Sequence, residues 1–174
     1  MPPGLNEMVV ESVRVHMLSS QHVVILKEAE GDRYLPIWIG PWEANAIAMK
    51  LQGVAPERPL THDLFAQTLE QLGVTVQRII VSDLADETYR ARLILEFGGE
   101  LKEIDARPSD AIALAVRASV PIFATDAVLD RAGVVPETDQ EEKLSVFRAF
   151  VNSLDLDLDS SLGGTREGPP EEPS

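Results

Sequence analysis

Two stretches of the chain set out the same chemistry: Arg58-Pro59-Leu60-Thr61-His62-Asp63 and Arg107-Pro108-Ser109-Asp110. Each puts an Arg-Pro pair, a hydroxyl residue and an aspartate directly before an apolar run of helical type. A hydroxyl followed by an acid suits a helix start. The hydroxyl caps free backbone N–H groups, and the carboxylate meets the positive end of the helix dipole. The arginines need another explanation, because a cation gains nothing at that end. A guanidinium beside a helix start can hold a phosphate or pair with a carboxylate. The first choice makes these corners a site for an anionic substrate; the second makes them latches.

The elements that must position these corners follow from periodicity. Residues 8–16 and 22–28 are rich in Val, Ile and Leu around a Ser19-Ser20-Gln21 turn, a β-hairpin signal. Tyr34–Ile39 reads as a third strand, and Pro36, lacking an N–H, places it at an edge or bulge. Pro41 suits the first turn of a helix that runs through Ala44, Ile47, Ala48 and Leu51 to Gly53. A second helix after Thr61 carries Leu64, Phe65, Thr68, Leu69 and Leu72 on one side, with Asp63, Gln67, Glu70 and Gln71 as its wet side. Residues 88–97 alternate cleanly, as a half-buried antiparallel strand does, and Gly98-Gly99 turns into Glu100–Ala106. In residues 74–83 the apolar phase changes, which a bulge near Gln77-Arg78 explains. Ala111–Val116 leaves no polar side, so the helix from about Ser109 to Ala118 should be buried. Pro121–Ala124 reads as a short strand and Asp126–Arg131 as helical turns. The expectation is an α+β domain, a mixed, mostly antiparallel sheet packed against several helices, over residues 1–135. A C-terminal amphipathic helix over 136–154 and an acidic, disordered tail over 155–174 should follow it.

Composition narrows the function. The chain has 174 residues and no cysteine, which excludes disulfides, thiolate metal sites and thiol nucleophiles. Its start lacks the basic and apolar regions of a secretory signal, and no apolar run approaches the ~18–20 residues of a membrane span. A soluble, cytoplasmic protein without membrane contact is expected. The formal net charge is −14. Ten of the 29 acids but only three of the 15 basic residues fall in residues 136–174, yet the remainder is acidic too. Long-range attraction to nucleic acid is therefore missing, and any such substrate would be held weakly, by a local cluster of cations.

The segments Leu35-Pro36-Ile37-Trp38-Ile39-Gly40, Glu43-Ala44, Arg58–Leu64, Asp105–Ala115 and Pro121-Ile122, in this order and spacing, closely resemble the bifunctional nuclease domain family. The resemblance covers about residues 5–135. It implies a mixed α+β domain, cleavage of RNA and DNA, and association into homo-oligomers. Some members follow the domain with a short motif of the nucleotide-excision-repair type, whereas this chain has an acidic tail there.

Phosphodiester hydrolysis needs charge stabilisation on the phosphate, an activated water and a protonated or metal-bound leaving oxygen. Clustered carboxylates can hold Mg²⁺ or Mn²⁺ for this work. Glu43, Asp63 and Asp110, each in the first turn of its helix, are the candidate metal ligands. His62, Asp63, Arg107 and Asp110 are the candidate catalytic residues, and Arg58, Thr61 and Ser109 the candidate substrate-binding ones. His62 could serve as general acid or base. A metal-free variant would pair His62 with an arginine clamp, and no organic cofactor is implied. Structural readings stand beside these: the acids as helix caps, the arginines as latches to Asp63, Asp105 or Asp110, and His62 as a surface or hydrogen-bonding residue. Trp38 and Trp42 could stack on a base, but packing around the Gly40-Pro41 corner is the expectation. Arg90, Arg92 and Lys102 form a basic stripe, read as a solvated strand face rather than a backbone track. His16 and His22 lie in hairpin strands without ligand spacing and are given no function. A non-catalytic oligomeric module that binds an anionic small ligand or a protein partner is the alternative function.

Overall fold

A computed structural model describes residues 4–136 of the chain, together with the helical positions Val146 and Ala149. The expected C-terminal helix, those two positions apart, and the acidic tail lie outside the described residues. The compact unit that carries the site ends at Pro136.

The hairpin is β1 (Leu5–His16) and β2 (Gln21–Glu28), followed by β3 (Tyr34–Ile39). Helix α1 (Pro41–Leu51) and helix α2 (Thr61–Gln71) come next. Strands β4 (Thr75–Ala85), β5 (Thr88–Phe97) and β6 (Glu100–Ala106) form a meander. Helix α3 (Pro108–Ala118), strand β7 (Ile122–Thr125) and helix α4 (Asp126–Ala132) complete the unit. The seven strands make one sheet in the order β3-β2-β1-β7-β4-β5-β6. Every pairing is antiparallel except that of β4 with β7. The short β7 thus joins the N-terminal three strands to the meander.

Local chemistry accounts for these elements. β3 lies at the sheet edge, where the missing N–H of Pro36 costs no ladder bond. Pro41 opens α1 at its first position, where an N–H would have no helical partner. The register of β4 against β5 shifts between Val76 and Arg78, the expected bulge, and Ile79 and Val81 then face the core. A second shift falls between Val81 and Asp83.

α3 is the centre of the core. Ala111, Ile112, Ala113, Leu114 and Ala115 are all buried, and the alanines let neighbouring elements approach closely. α3 packs against β4, β5, α1 and α2. The same core cluster holds Val24 and Leu26 of β2, Leu35 and Ile37 of β3, and Ala91 and Leu93 of β5. These strand residues are spaced by two, so one face of the sheet is dry. Full burial of each large aliphatic side chain stabilises the fold by roughly 1.5–3 kcal/mol. The sheet also curls: β3 and β5 are far apart in strand order, yet the Tyr89 hydroxyl of β5 donates to the Pro36 carbonyl of β3 at 3.3 Å. At the start of β3, Tyr34 pairs with Val134, just after α4.

α2 corrects its amphipathic reading. Leu64, Phe65 and Leu72 are exposed, and no residue of the helix is fully buried. The side turned to the body carries His62, Asp63, Ala66 and Leu69 instead. Two ion-pair partners on α3, described below, fix that orientation.

Candidate functional site at three helix starts

The starts of α1, α2 and α3 come together, as the two Arg-Pro segments require of a site. α3 is capped by Arg107, with Pro108, Ser109 and Asp110 as its first three residues. α2 is capped by Leu60, with Thr61 as its first. Neither Thr61 nor Ser109 therefore caps its helix, contrary to the hydroxyl-cap expectation, because each lies inside the first turn. On α2 the acid does that work: Asp63 accepts the Leu60 N–H at 2.9 Å. On α3 the acid turns sideways. Asp110 Oδ2 accepts from Arg107 Nε at 2.8 Å, and Asp110 Oδ1 lies 2.9 Å from His62 Nε2. Arg107 Nη2 donates to Glu43 Oε1 at 2.7 Å. The result is an unbroken chain, Glu43–Arg107–Asp110–His62, that ties α1 to α3 and α3 to α2. Gly40 makes room for its first member, since a Cβ there would fall on the Glu43 carboxylate.

The charges in this chain hold one another. Burial pushes the Asp110 carboxyl up, but the bonds from Arg107 and His62 outweigh it and keep Asp110 below the usual aspartate range. Asp110 and Glu43 together hold the Arg107 guanidinium up, so it stays charged. An ionised Asp110 can only accept, so the bonded proton belongs to His62 Nε2. In neutral imidazole Nδ1 is then the basic nitrogen. Arg107 remains 65% exposed even with both partners, whereas Glu43 is 14% exposed. Its charge is braced from below and open from above.

A second network lies beside the first. Arg117, near the end of α3 and only 6% exposed, donates to Asp63 Oδ1 at 2.7 Å, to the Ala113 carbonyl at 2.9 Å and to the Ala46 carbonyl at 3.1 Å. It thereby fastens α1 and α2 to α3. Burial pushes the Asp63 carboxyl up, but the Leu60 N–H and Arg117 overcome this and leave it below the ordinary range. The sequence reading passed over Arg117. Its signal was a lone cation in the last turn of an otherwise apolar helix.

The remaining candidates separate. Arg58 is exposed and makes no ion pair or side-chain hydrogen bond among the described residues. His62, not Arg58, carries the contact from the first Arg-Pro segment to the second. Thr61 is exposed, while Ser109 is buried. Of the proposed metal ligands, Glu43 and Asp110 share the Arg107 guanidinium, and Asp63 is taken by Arg117. Among the described residues no group of three or more His, Asp or Glu side chains is placed to hold a metal ion. As arranged, the two site carboxylates already hold a cation between them, and a divalent ion would have to displace it.

A cavity of 520 Å³ opens beside Arg107, at the seam where β3 approaches β5. Trp38, Ile39, His22, Tyr89, Arg107 and Ser109 line it. Here the tryptophan expectation is corrected: Trp38 is 59% and Trp42 82% exposed, so neither packs into the Gly40-Pro41 corner. Trp38 alternates outward between the inward-facing Ile37 and Ile39, which explains its exposure. The His22 Nδ1 atom is buried without a hydrogen-bond partner among the described residues, and no local motif marks it out. The basic stripe is neutralised in part, with Arg92 paired to Glu103 and Lys102 to Glu100.

A curled mixed sheet enclosing one apolar helix, with an Arg-Pro-hydroxyl-Asp corner at that helix's start, defines the class. The signature described as the bifunctional nuclease domain matches residues 24–137, and the chain belongs to that family. Over 162 residues it is 43% identical to an uncharacterized protein of Mycobacterium tuberculosis, covering 88% of this chain and 97% of that one. It is 27% identical over 139 residues to Bifunctional nuclease 1 of Oryza sativa subsp. indica, covering 76% of this chain but 42% of the rice protein. To Bifunctional nuclease 1 of Arabidopsis thaliana it is 30% identical over 103 residues, 57% of this chain and 32% of the plant protein. Among the described residues no helix is long and apolar enough to cross a membrane.

Proposed function

We propose that this chain is a nuclease that hydrolyses phosphodiester bonds of RNA or DNA at the Glu43–Arg107–Asp110–His62 chain. The observation that carries the reading is Arg107, a guanidinium fixed by two carboxylates yet left open on its outer side. Its unused N–H donors can meet phosphate oxygens and stabilise the charge that gathers there as the bond breaks. His62 supplies the proton transfer. With Nε2 held by Asp110, Nδ1 takes a proton from the attacking water as its oxygen bonds to phosphorus, and the imidazolium returns that proton to the leaving oxygen as the old P–O bond breaks. Asp110 orients both groups. Asp63 and Arg117 serve as the frame that holds α2 in place, and Thr61 and Ser109 flank the phosphate path. If Mg²⁺ or Mn²⁺ takes part, Glu43 and Asp110 are the carboxylates that would hold it, and it would supply Lewis-acid stabilisation of the phosphate.

The test is cleavage of end-labelled RNA and DNA by purified protein in Mg²⁺, in Mn²⁺ and in chelator. Asp110→Asn and His62→Ala should each lower turnover by about 10²-fold or more at a temperature where both variants are still folded, as circular dichroism reads. Unchanged cleavage in both variants would end the proposal.

Exposed apolar residues favour a homo-oligomer as well. Leu64 and Phe65 on α2, Leu72 just past its end, and Leu101 and Ile104 on the edge strand β6 stand open to solvent. Such surfaces mark contact with a partner, and a second copy of this chain is the partner proposed.

A further inference from the structure

We infer that the cavity beside Arg107 receives one unpaired nucleobase, so that the site acts on single-stranded nucleic acid. The inference rests on the nuclease reading for the position of the phosphate. Arg107 belongs at once to the acid chain and to the cavity wall. A phosphate on its open side therefore leaves the attached nucleoside at the cavity mouth. The cavity's 520 Å³ falls within the ~300–1,000 Å³ of pockets that enclose small ligands.

Its lining suits a base. The exposed indole of Trp38 offers a flat surface, and base–aromatic stacking is tolerant of sequence because every base has a π-face. Ile39 and Tyr89 supply apolar wall, and burial pushes the Tyr89 phenol up, keeping its hydroxyl protonated on the Pro36 carbonyl. His22 Nδ1 is the polar group without a partner. Buried polar atoms ordinarily find one, and because this atom is closed off as placed, a base edge meets it only once the His22 ring turns toward the cavity. Ser109, although mostly buried, also reaches the cavity wall near Arg107.

Two observations set single strands against duplexes. A base in a duplex is paired and stacked and must be turned out before it can enter such a cavity. The surface also offers a duplex little: the net charge is −14, and Arg92 and Lys102 are paired with Glu103 and Glu100, although Arg58 and Arg90 are exposed without an ion pair among the described residues. Arg107 alone can hold one phosphate of a flexible strand. It cannot follow a rigid double backbone.

Trp38 and Trp42 are the chain's two tryptophans, so Trp42→Phe leaves Trp38 as a single reporter. A short single-stranded oligonucleotide should quench that fluorescence saturably, and the same strand annealed to its complement should need about tenfold more. His22→Ala in the same background should weaken the quenching. In cleavage assays Trp38→Ala should raise KM about tenfold with kcat nearly unchanged, and Trp38→Phe should recover part of the loss. Equal quenching by single and double strands, or an unaltered KM in Trp38→Ala, overturns the inference even where cleavage is intact. Saturable quenching by single strands without any cleavage supports the cavity and overturns the nuclease reading instead. No quenching by either form overturns the cavity.

Discussion

Two arginines ten residues apart on one helix should behave in opposite ways when removed. Arg117 is 6% exposed and bonds to one carboxylate and two backbone carbonyls from three helices. Arg117→Ala strips those acceptors of their donor and leaves the Asp63 charge to the Leu60 N–H alone. Breaking a buried pair by deleting one partner costs about 3–5 kcal/mol, and the lower end applies because Asp63 is 21% exposed. Arg107 is 65% exposed, and exposed pairs contribute about 0.2–1 kcal/mol each. Arg107→Ala should therefore cost about 1–2 kcal/mol, including the repulsion left between Glu43 and Asp110. With about 3–5 °C per kcal/mol for a unit of this size, Arg117→Ala should lower the thermal midpoint by about 10–15 °C and Arg107→Ala by about 5 °C. Arg117→Lys should recover only part, because an ammonium lacks the guanidinium's fixed fork. Calorimetry or circular dichroism reads the midpoints, and cleavage is measured below them. Arg107→Ala should stay folded and lose turnover, whereas Arg117→Ala should keep turnover at low temperature. Equal midpoint losses, or turnover lost only with the fold, would refute this division between site and frame.

Other outcomes follow from the same geometry. Gly40→Ala should force the Glu43 carboxylate off Arg107, lowering turnover about tenfold with a midpoint change of a few degrees, read by steady-state cleavage and calorimetry. Asp63 and Asp110 both ionise more readily in the folded chain than in the unfolded one. Their stabilisation is therefore complete above the ordinary aspartate value of about 3.9 and is lost as pH falls through their lower folded values. Urea midpoints between pH 5 and 3 should fall, and Asp63→Asn should flatten that slope. Light scattering should find an oligomer that Leu64→Asp with Phe65→Asp reduces to a monomer, since both side chains already face solvent in the single chain.

Much of the fold was written locally. The alternation of β5, the edge position of Pro36, the helix start at Pro41, the bulge at Gln77-Arg78 and the burial of α3 each depend on a few neighbouring residues. What escaped depends on pairs distant in sequence. The orientation of α2 is set by His62–Asp110 and Asp63–Arg117, separated by 48 and 54 residues, so its apolar stripe could not reveal which side is wet. The exposure of Trp38 is local, set by alternation along β3, but the cavity it borders arises where the curled sheet brings β5 near β3, which no window of sequence contains. The meeting of the two Arg-Pro corners was legible, but its agent was not: the histidine bridges, and Arg58 stays free of partners among the described residues.

The burial of α3 has a consequence for tolerance to change. A helix enclosed on all sides cannot tilt or slide without opening the interior, so the corner at its first turn is as immobile as the centre of the domain. Adjustment to guests of different shape falls to the rim, where the β1–β2 and β4–β5 hairpin tips border the opening through Ser20 and Glu87. Both residues sit in left-handed backbone, at φ 53° and 59°. On the nuclease reading, breadth of substrate would fall to these two small tips, and replacing them should retune selectivity among oligonucleotides while leaving the Arg107 corner where it is.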